Sequence, residues 1–445
     1  MDRRTWLLGV LAGTAGQAIS NAHAQNAGAV SQRAFDGHAM PALIFRDDHQ
    51  FWFETLRCFG AIDYGGAQFG EVVMTSSRIK SGDYDSWHDE WKMTADTVAR
   101  EAEVSLQAGH RVSARDGMLR AANYYRNSEF FLHARPDDPR IRHAYERSIS
   151  CFKHAASLST FPIEPIEIPY ENTTLPGYFY RADASPIQRP LVVMHNGFDG
   201  SVEEMHFLGA LAAVERGYNV IAFDGPGQFG PVHREALTFR PDWEKAVGPV
   251  VDFALKQTRF VDPQRVALLG VSMGGLLAPR AAAFEKRLAA CIANDGLYDF
   301  SAPLLSAVPP PFRAEFKQRL RAERDDELDQ MIARTMASNP TARWGVTHGM
   351  YAMGARTPRA YMAKALDYTL ENGIAEAITC PTLVCEAEND IFFAGQPKML
   401  FDHLTCAKTL LSFTSVEGAG AHCQVSASRL AFARIYNWLN EVFQS

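Results

Sequence analysis

The sequence predicts an α/β protein with a doubly wound, mostly parallel sheet, an all-helical N-terminal domain and a helical lid insertion. Three observations predict it. Short apolar runs such as residues 265–269 end in glycine-rich loops, as buried parallel strands do. Helical runs separate these strands. Before about residue 162, apolar residues fall at helical spacing instead, for example in residues 91–108, 114–133 and 138–157.

The most informative motif joins an apolar run to an Ala-rich helical run. It extends from Gly270 to Gly274 and has the G-x-S-x-G pattern of a sharp turn between a strand and a helix. Such a turn exposes the serine hydroxyl, and its glycines let strand and helix pass without a Cβ clash. We therefore predict Ser272 as a nucleophile. The N–H of Met273, at a helix N-terminus, is predicted to donate to an oxyanion.

A serine nucleophile needs a base, and the base needs a group that orients it. In an α/β sheet of this kind the order along the chain is serine, acid, histidine. Asp390 lies on the loop beyond the apolar run at residues 382–385, where the acid belongs, with Glu388 and then Glu386 as rivals. His422 lies at the tip of a small-residue loop before the final helix. We predict His422 as the general base and Asp390 as its orienting acid.

Two glycine-containing loops follow earlier strands. The loop after the strand at residues 190–194 is predicted to supply the second oxyanion donor, the N–H of Phe198. His195 at its start is expected near the site, where it orients the loop rather than catalyses. The run at residues 225–230 lacks the Lys-Ser/Thr pair of a phosphate-binding loop, so we interpret it as a turn with Asp224 as a structural carboxylate.

Several segments together resemble the α/β-hydrolase family that carries a helical N-terminal domain. This group includes fermentation-respiration-switch-type esterases, 2,6-dihydropseudooxynicotine hydrolase and the fungal heptaketide-shortening hydrolases of melanin synthesis. The resemblance covers most of the chain from about residue 160 onward. It implies an α/β-hydrolase fold and a triad of Ser272, Asp390 and His422. The matching segments are residues 196–201, 223–228, 270–285, 295–299, 392–397 and 418–424.

Two features depart from these relatives. Ala421 precedes the histidine, where the fungal members carry an acidic residue. The pseudooxynicotine enzyme uses an extra glutamate after its nucleophile, and here Asp295 and Asp299 are only nearby acids. Both departures bear on the choice of substrate.

The predicted organisation has two domains after a leader. A helical cap occupies residues 25–162, and a catalytic domain occupies residues 163–445. A lid at about residues 301–373 is expected to cover the carboxyl ends of the strands, where ligands bind. Most cap aromatics are expected to form its core. The residues predicted to line a substrate pocket are Trp87, Tyr125, His195 and His348.

Residues 1–24 have the pattern of a twin-arginine signal peptide. Arg3 and Arg4 precede a weakly hydrophobic stretch, and an A-x-A cleavage site ends at Ala24. The stretch is too short to span a bilayer, and no cysteine follows it for a lipid anchor. We expect a periplasmic or secreted protein without a membrane anchor, with Sec export as the alternative route.

Composition limits the classes of molecule that the protein is expected to bind. A chain of 445 residues that is 47% hydrophobic buries a large core, and its formal charge of −7 argues against nucleic acid or an anionic membrane as a partner. The seven cysteines form no disulfide framework, and no metal-binding motif is present, so we predict no metal and no cofactor. Cys423, beside His422, is not expected to face that histidine. The oligomeric state stays open.

The expected chemistry is hydrolysis of a small-molecule carbonyl substrate through an acyl-enzyme. The leaving atom decides the class, because an alkoxide leaves easily whereas carbon leaves only as a stabilised carbanion. The resemblance favours carbon–carbon cleavage in a β-diketone, polyketide or aromatic ketone, with ester hydrolysis as the alternative. An aminopeptidase is a lesser alternative, since the Glu203-Glu204 pair that would hold the amine is expected to be solvated. A non-catalytic binding protein is the other.

Overall fold

A single mixed sheet forms the centre of the molecule. The computed structural model describes residues 41–306 and 308–444, so the predicted signal peptide lies outside the described residues. The eight strands are ordered β1-β2-β4-β3-β5-β6-β7-β8. Their bounds are β1 Ile163–Tyr170, β2 Thr173–Tyr180, β3 Arg189–His195, β4 Asn219–Phe223, β5 Val261–Val271, β6 Ala290–Asn294, β7 Thr382–Ala387 and β8 Lys408–Phe413.

The strand directions place one set of loops together. Strand β2 is antiparallel to both β1 and β4, and every other neighbouring pair is parallel. Strands β4 and β6 are buried along their whole length, which explains their continuous apolar sequence. The loops that leave the carboxyl ends of β3, β5, β6, β7 and β8 therefore meet at one edge of the sheet.

A helical region precedes the sheet. Side chains cap three of its helices, since Asp48, Asp83 and Asp138 accept hydrogen bonds from backbone N–H groups in the first turns. The helices are α1 His49–Gly60, α2 Phe69–Ser76, α3 Tyr84–Gln107, α4 Arg111–Glu129 and α5 Pro139–Ser157. Helices α3 and α4 approach closely at Gly117, where a Cβ atom would lie 2.7 Å from the Cβ of Ala102.

Further helices pack against the sheet. They supply the apolar layers that a mostly parallel sheet requires. They are α6 Ala210–Val214, α7 Phe229–Glu235, α8 Glu244–Leu255, α9 Gly274–Phe284, α15 Gln396–His403 and α16 Ser428–Gln444. Among the described residues, no helix combines the length and hydrophobicity needed to cross a bilayer.

The predicted lid is a group of short helices with an apolar cluster of its own. They are α10 Ala302–Ser306, α11 Arg313–Arg321, α12 Asp326–Ser338, α13 Pro340–Ala352 and α14 Pro358–Ala365. The charged helix expected over residues 313–334 is divided in two, because Asp325 caps a new helix by accepting from the N–H of Leu328. Phe316, Leu320 and Ile332 form part of the lid's own core. The predicted fold class, a doubly wound sheet with helical additions, is confirmed.

Candidate active site

Ser272 occupies a sharp turn between β5 and α9. Its φ angle is 62°, in the left-handed region that residues other than glycine rarely adopt. Neighbouring backbone leaves no room for side chains on either side of the turn. A Cβ on Gly270 would lie 2.0 Å from the carbonyl oxygen of Gly274, and one on Gly275 would lie 1.8 Å from that of Asp295. Gly270 and Gly275 are therefore sterically required.

The structure brings the three residues of the predicted triad together. Nε2 of His422 lies 2.9 Å from Oγ of Ser272, and Nδ1 of His422 lies 2.8 Å from Oδ2 of Asp390. The other carboxylate oxygen of Asp390 accepts the N–H groups of Phe392 and Phe393 at 2.7 and 3.0 Å. The carboxylate is thereby held with one oxygen toward the imidazole, the geometry of a nucleophile, a base and an orienting acid.

The rival acids lie elsewhere. Glu386 accepts the hydroxyl of Ser412 at 2.8 Å, and Glu388 accepts the N–H of Ser415 at 2.7 Å. Only Asp390 of the three predicted candidates contacts His422. The loop beyond β7 thus places Asp390, rather than either glutamate, at the imidazole.

Charge and burial act in opposite directions on the His422–Asp390 pair. Burial raises the pKa of Asp390, but His422 and the two backbone donors outweigh it and hold the pKa below its usual range. Burial lowers the pKa of His422, but the Asp390 carboxylate outweighs it and raises the pKa well above its usual range. The pair therefore favours the protonated form of the His422 imidazole beside an ionised Asp390.

The two predicted oxyanion donors flank the serine. A Cβ on Gly197 would lie 2.8 Å from the backbone nitrogen of Met273, so the loop after β3 passes directly beside the turn. Neither the Phe198 nor the Met273 N–H donates to another described residue. Asn196 supports the loop, since its Oδ1 accepts the Gly197 N–H at 2.8 Å. Two backbone donors thus stay free beside the hydroxyl.

A buried cluster of charged side chains contacts the same loop. Arg57 of α1 contacts Glu204 at 2.5 Å and Asp199 at 2.9 Å, and Arg126 of α4 contacts Glu204 at 3.4 Å. Glu204 in turn accepts the side-chain amide of Asn196 at 2.9 Å. The cluster therefore connects the helical region to the loop after β3, residues 195–200, which is called the oxyanion loop for its predicted role.

The expectation that the Glu203-Glu204 pair is solvated is wrong. Both residues are buried, with 4% of each exposed. Their partners come from distant parts of the chain, Arg57 for Glu204 and the Tyr178 hydroxyl for Glu203 at 3.0 Å. With Glu204 already paired, the cluster offers no free acidic pair for a substrate amine.

Sequence reasoning missed the position of Asp295. Its Oδ2 lies 3.5 Å from Nδ1 of His422 and accepts the N–H of Cys423 at 2.6 Å. Its Oδ1 accepts the side-chain amide of Gln424 at 2.5 Å. Burial and the charge of Asp390 raise the pKa of Asp295 to about 7. The sequence feature that could have identified Asp295 is its position at the end of β6, between the strands that carry Ser272 and Asp390.

The expectation that Cys423 turns away from His422 is also wrong. Sγ of Cys423 lies 3.3 Å from Nε2 of His422. Cys423 has a φ of 52°, and this left-handed conformation turns the side chain back toward the ring of the preceding residue. Burial raises the pKa of the Cys423 thiol above its usual value. Ser272 lies closer to Nε2 and sits on the sharp turn, so its geometry fits the predicted nucleophile better than that of Cys423.

A cavity of about 820 Å³ opens onto the triad. The helical cap contributes Phe53 and Arg57 to its lining, and the predicted lid contributes many of the other lining residues. Its lining is rich in aromatic and aliphatic side chains, as in most small-molecule sites. Apolar lining residues include Phe53, Phe198, Phe300, Ile332, Trp344, Tyr361, Met362, Phe392 and Phe393.

Two cap residues predicted to line a pocket do not line this cavity. Trp87 is fully buried, with its ring centroid 4.7 Å from that of Phe51 and its N–H donated to the carbonyl of Asn127. Tyr125 is also fully buried, and its hydroxyl donates to Asp96 at 2.6 Å. Both predictions are wrong, because these side chains face the interior of the helical cap.

His195 and His348 do not line the cavity either. Nε2 of His195 accepts the indole N–H of Trp243 at 3.2 Å, so its Nδ1 donates to the carbonyl of Asn196 at 2.9 Å. Nε2 of His348 donates to the carbonyl of Phe198 at 2.8 Å. The pocket prediction is wrong for both. Each histidine instead donates a hydrogen bond to a backbone carbonyl of the oxyanion loop.

Family models agree with this geometry. Residues 191–434 match the alpha/beta hydrolase family, and residues 71–299 match the FrsA-like esterases. The chain belongs to the α/β hydrolase family. The predicted resemblance is confirmed.

Relatives that match most of the length of this α/β hydrolase are also named hydrolases. Hydrolase LUC6 of Fusarium sp. is 34% identical over 408 residues, covering 88% of this chain and 96% of the relative. The 20-hydroxy-prefusarin hydrolase FUS2 of Gibberella moniliformis is 34% identical over 413 residues, covering 90% and 98%. The structure of 2,6-dihydroxy-pseudo-oxynicotine hydrolase matches with a TM-score of 0.67 at 22% identity over 86% of this chain and 95% of that one. The protein is therefore an enzyme, a hydrolase, and the last match supports its fold.

Proposed function

We propose that this hydrolase cleaves a carbon–carbon bond beside a ketone in a β-diketone, polyketide or aromatic ketone. The observation that carries the proposal is the hydrogen-bonded chain Ser272–His422–Asp390 at the floor of a large, aromatic-lined cavity. These three hydrogen-bonded residues provide a nucleophile and a group that carries a proton. The cavity provides room for a bulky apolar ketone.

The first half of the reaction forms an acyl-enzyme. Oγ of Ser272 attacks the ketone carbon while Nε2 of His422 takes the hydroxyl proton. The N–H groups of Phe198 and Met273 stabilise the resulting oxyanion. When the oxyanion collapses, the carbon–carbon bond breaks and its electron pair leaves as an enolate. His422 returns its proton to that enolate, which departs as a neutral ketone.

The second half releases the acid product. His422, now neutral, removes a proton from water as the water oxygen attacks the acyl ester. The tetrahedral intermediate again places its oxyanion at the same two N–H groups. Its collapse breaks the bond to Oγ, His422 returns the proton to Ser272, and a carboxylic acid leaves. Asp390 holds the imidazole in one orientation throughout.

The second carbonyl of a β-diketone is what makes carbon a leaving group, because it delocalises the electron pair as an enolate. The relative named for 20-hydroxy-prefusarin supports a small organic molecule as the substrate. The apolar lining supports a substrate that is largely hydrophobic.

Ester hydrolysis is the second candidate. The match of residues 71–299 to FrsA-like esterases favours it. The same triad would act on an ester, and an alkoxide needs no carbanion stabilisation to leave.

Parallel turnover assays separate the two candidates. We would measure kcat/KM for an aryl β-diketone and for a p-nitrophenyl acyl ester, with the wild type, Ser272→Ala and the exposed control Ser157→Ala. We expect the diketone to be preferred, with turnover lost in Ser272→Ala and retained in Ser157→Ala. Serine-dependent turnover of the ester alone would reject carbon–carbon cleavage in favour of an esterase. Turnover of either substrate that survives Ser272→Ala would reject the triad mechanism.

We also propose export by the twin-arginine route, on the support of Arg3, Arg4 and the A-x-A site ending at Ala24. Expression of the full chain in a bacterium with this pathway, followed by fractionation, tests it. The wild type should reach the periplasm with residues 1–24 removed. The double variant Arg3→Lys, Arg4→Lys should stay in the cytoplasm, and equal export of both proteins would contradict the proposal.

A further inference from the structure

A second cluster of titratable side chains lies away from the triad, where the helical cap meets the core. Glu129 is the last residue of α4, His133 follows it by one turn, and His233 lies on α7. Glu129 and His133 are buried, with 2% and 5% exposed. One ligand atom from each of the three residues lies within 4.8 Å of the other two. None of the three lines the cavity above Ser272.

The hydrogen bonds of His348 determine which nitrogen of His133 is free. Nε2 of His348 lies 2.8 Å from the carbonyl oxygen of Phe198, so it carries a proton. In a neutral ring its Nδ1 then accepts, and Nδ1 of His133, 3.0 Å away, must donate. Neutral His133 therefore presents an unprotonated Nε2. This lone pair faces Oε2 of Glu129 at 2.7 Å.

Two electron-rich atoms at that distance need a cation between or beside them. A proton on Nε2 of His133 would satisfy the pair, but it would leave His233 unexplained. Nε2 of His233 is buried and has no hydrogen-bond partner among the described residues, and neither has Oε2 of Glu129 or Nε2 of His133. Nδ1 of His233 is already engaged with the hydroxyl of Tyr351 at 2.7 Å. A single metal ion satisfies all three atoms.

We propose that Glu129, His133 and His233 bind a Zn²⁺ ion. Two imidazole nitrogens and one carboxylate oxygen are a ligand set that zinc accepts, and a fourth position remains for water. Ligand atoms of a tetrahedral zinc site lie roughly 3.3 Å apart, so binding widens the 2.7 Å contact and draws His233 inward.

The contacts behind the ligands fit this assignment. Histidine ligands of metals normally donate their second N–H to a neighbouring acceptor, which fixes the ring. His133 donates toward His348, and His233 contacts the Tyr351 hydroxyl. The ion would thus join the helical cap to α7 and, through His348, to the carbonyl of Phe198 in the oxyanion loop. Its role is structural, since it does not reach the reacting atoms.

Calorimetric titration of the chelator-treated full chain, without a polyhistidine tag, with ZnCl₂ tests the proposal. We expect one equivalent of zinc and a rise in Tm on binding. Glu129→Gln and His233→Gln should each raise the dissociation constant on the order of 100-fold or more, since loss of a supporting contact alone costs about 10- to 100-fold. Tyr351→Phe should raise it about tenfold. The exposed control His154→Gln and the catalytic variant Ser272→Ala should bind zinc as the wild type does.

Circular dichroism first establishes that each variant is folded. Failure of the wild type to bind zinc would overturn the proposal, and so would equal binding by the wild type and His233→Gln, because the ion would then sit elsewhere. If the ligand variants do not fold, the zinc dissociation constant of Tyr351→Phe tests the proposal, since this variant retains all three ligands. An unchanged dissociation constant in that variant would overturn the site as well.

Discussion

Oδ2 of Asp295 lies 3.5 Å from Nδ1 of His422, the same ring nitrogen that Asp390 contacts at 2.8 Å. Two buried carboxylates therefore face one imidazole. Burial and the charge of Asp390 raise the pKa of Asp295 to about 7. We infer that its ionised form would add a second negative charge beside a His422 imidazolium, and we therefore predict Asp295 as a positioning residue for His422.

Replacing Asp295 by Asn should reduce kcat by roughly 10- to 100-fold, whereas Asp390→Asn should reduce it by about 10⁴-fold, as loss of the orienting acid does in other triads. His422 lowers the pKa of Asp295, and because that attraction is reciprocal, removing the Asp295 charge lowers the pKa of His422. The base is then neutral at lower pH. The acid limb of kcat/KM should shift to lower pH in Asp295→Asn.

A pH profile of kcat/KM for the wild type and Asp295→Asn checks this. A purely structural role for Asp295 would lower activity equally at every pH. An acid limb that does not move would therefore contradict the positioning role, even if kcat falls.

Gly197→Ala should disable the oxyanion hole. The new Cβ would lie 2.6 Å from the carbonyl oxygen of Val271 and 2.8 Å from the nitrogen of Met273, so the loop must move away from the serine. Loss of one oxyanion donor costs about 10²- to 10³-fold in kcat. The matched control is Gly70→Ala on α2, where a Cβ meets nothing within 4 Å.

Steady-state kinetics on both glycine variants tests the assignment. We expect the loss in kcat, with KM changed little, for Gly197→Ala only. Wild-type kcat in a folded Gly197→Ala protein would place the oxyanion donors elsewhere.

The parts of the site that are local in sequence were predictable. Ser272, Asp390 and His422 each follow a recognisable strand, and the glycines that make the Ser272 turn lie within two or three residues of it. Contacts between distant segments were not. The Glu203-Glu204 pair was expected to be solvated at the start of a helix. Its partners, Arg57 for Glu204 and Tyr178 for Glu203, lie elsewhere in the sequence and could not be identified from it.

The dependence on contacts between distant segments also explains why the predictions of pocket residues were wrong. Helical spacing shows that Trp87 and Tyr125 lie on apolar helices, but which neighbour each faces depends on how α3, α4 and α5 pack. His348 was recognised as a lid histidine, yet its contact with the Phe198 carbonyl joins residues 150 positions apart. The side chain of Cys423 depends on a positive φ that no local signal in the sequence indicates.

Cys423 is close enough to His422 to be tested as a rival nucleophile. We expect Cys423→Ala to keep its activity within roughly tenfold of the wild type, because alanine preserves the backbone and Ser272 keeps its contact with Nε2. Ser272→Ala in the same assay should lose at least about 10⁴-fold. If Cys423→Ala lost activity as completely as Ser272→Ala, the serine would not be the sole nucleophile.

Glu54 should make the protein less stable as the pH rises. Burial raises its pKa from 4.5 to about 8, with further contributions from the charges of Asp199 and Glu204, although Arg57 opposes them. Below pH 4.5 the group is protonated whether the chain is folded or unfolded. Between pH 4.5 and 8 only the folded chain keeps the proton, so the stabilisation is lost across this interval.

Urea unfolding of the wild type and Glu54→Gln from pH 4.5 to 9 measures this effect. The two proteins should have similar stability at the acid end, and the variant should be more stable by on the order of 2–4 kcal/mol at pH 9. The exposed Glu323→Gln serves as the control and should follow the wild type. A constant difference across the whole pH range would contradict the account of Glu54.

The most direct test of the central claim is labelling with a fluorophosphonate, followed by peptide mass spectrometry of the wild type, Ser272→Ala and His422→Gln. If Ser272 is the nucleophile and His422 its base, the wild type carries one adduct on the peptide that contains Ser272. His422→Gln should label at least about 10³-fold more slowly, and Ser272→Ala should carry no adduct. An adduct on Cys423, or rapid labelling that persists in Ser272→Ala, would contradict the account.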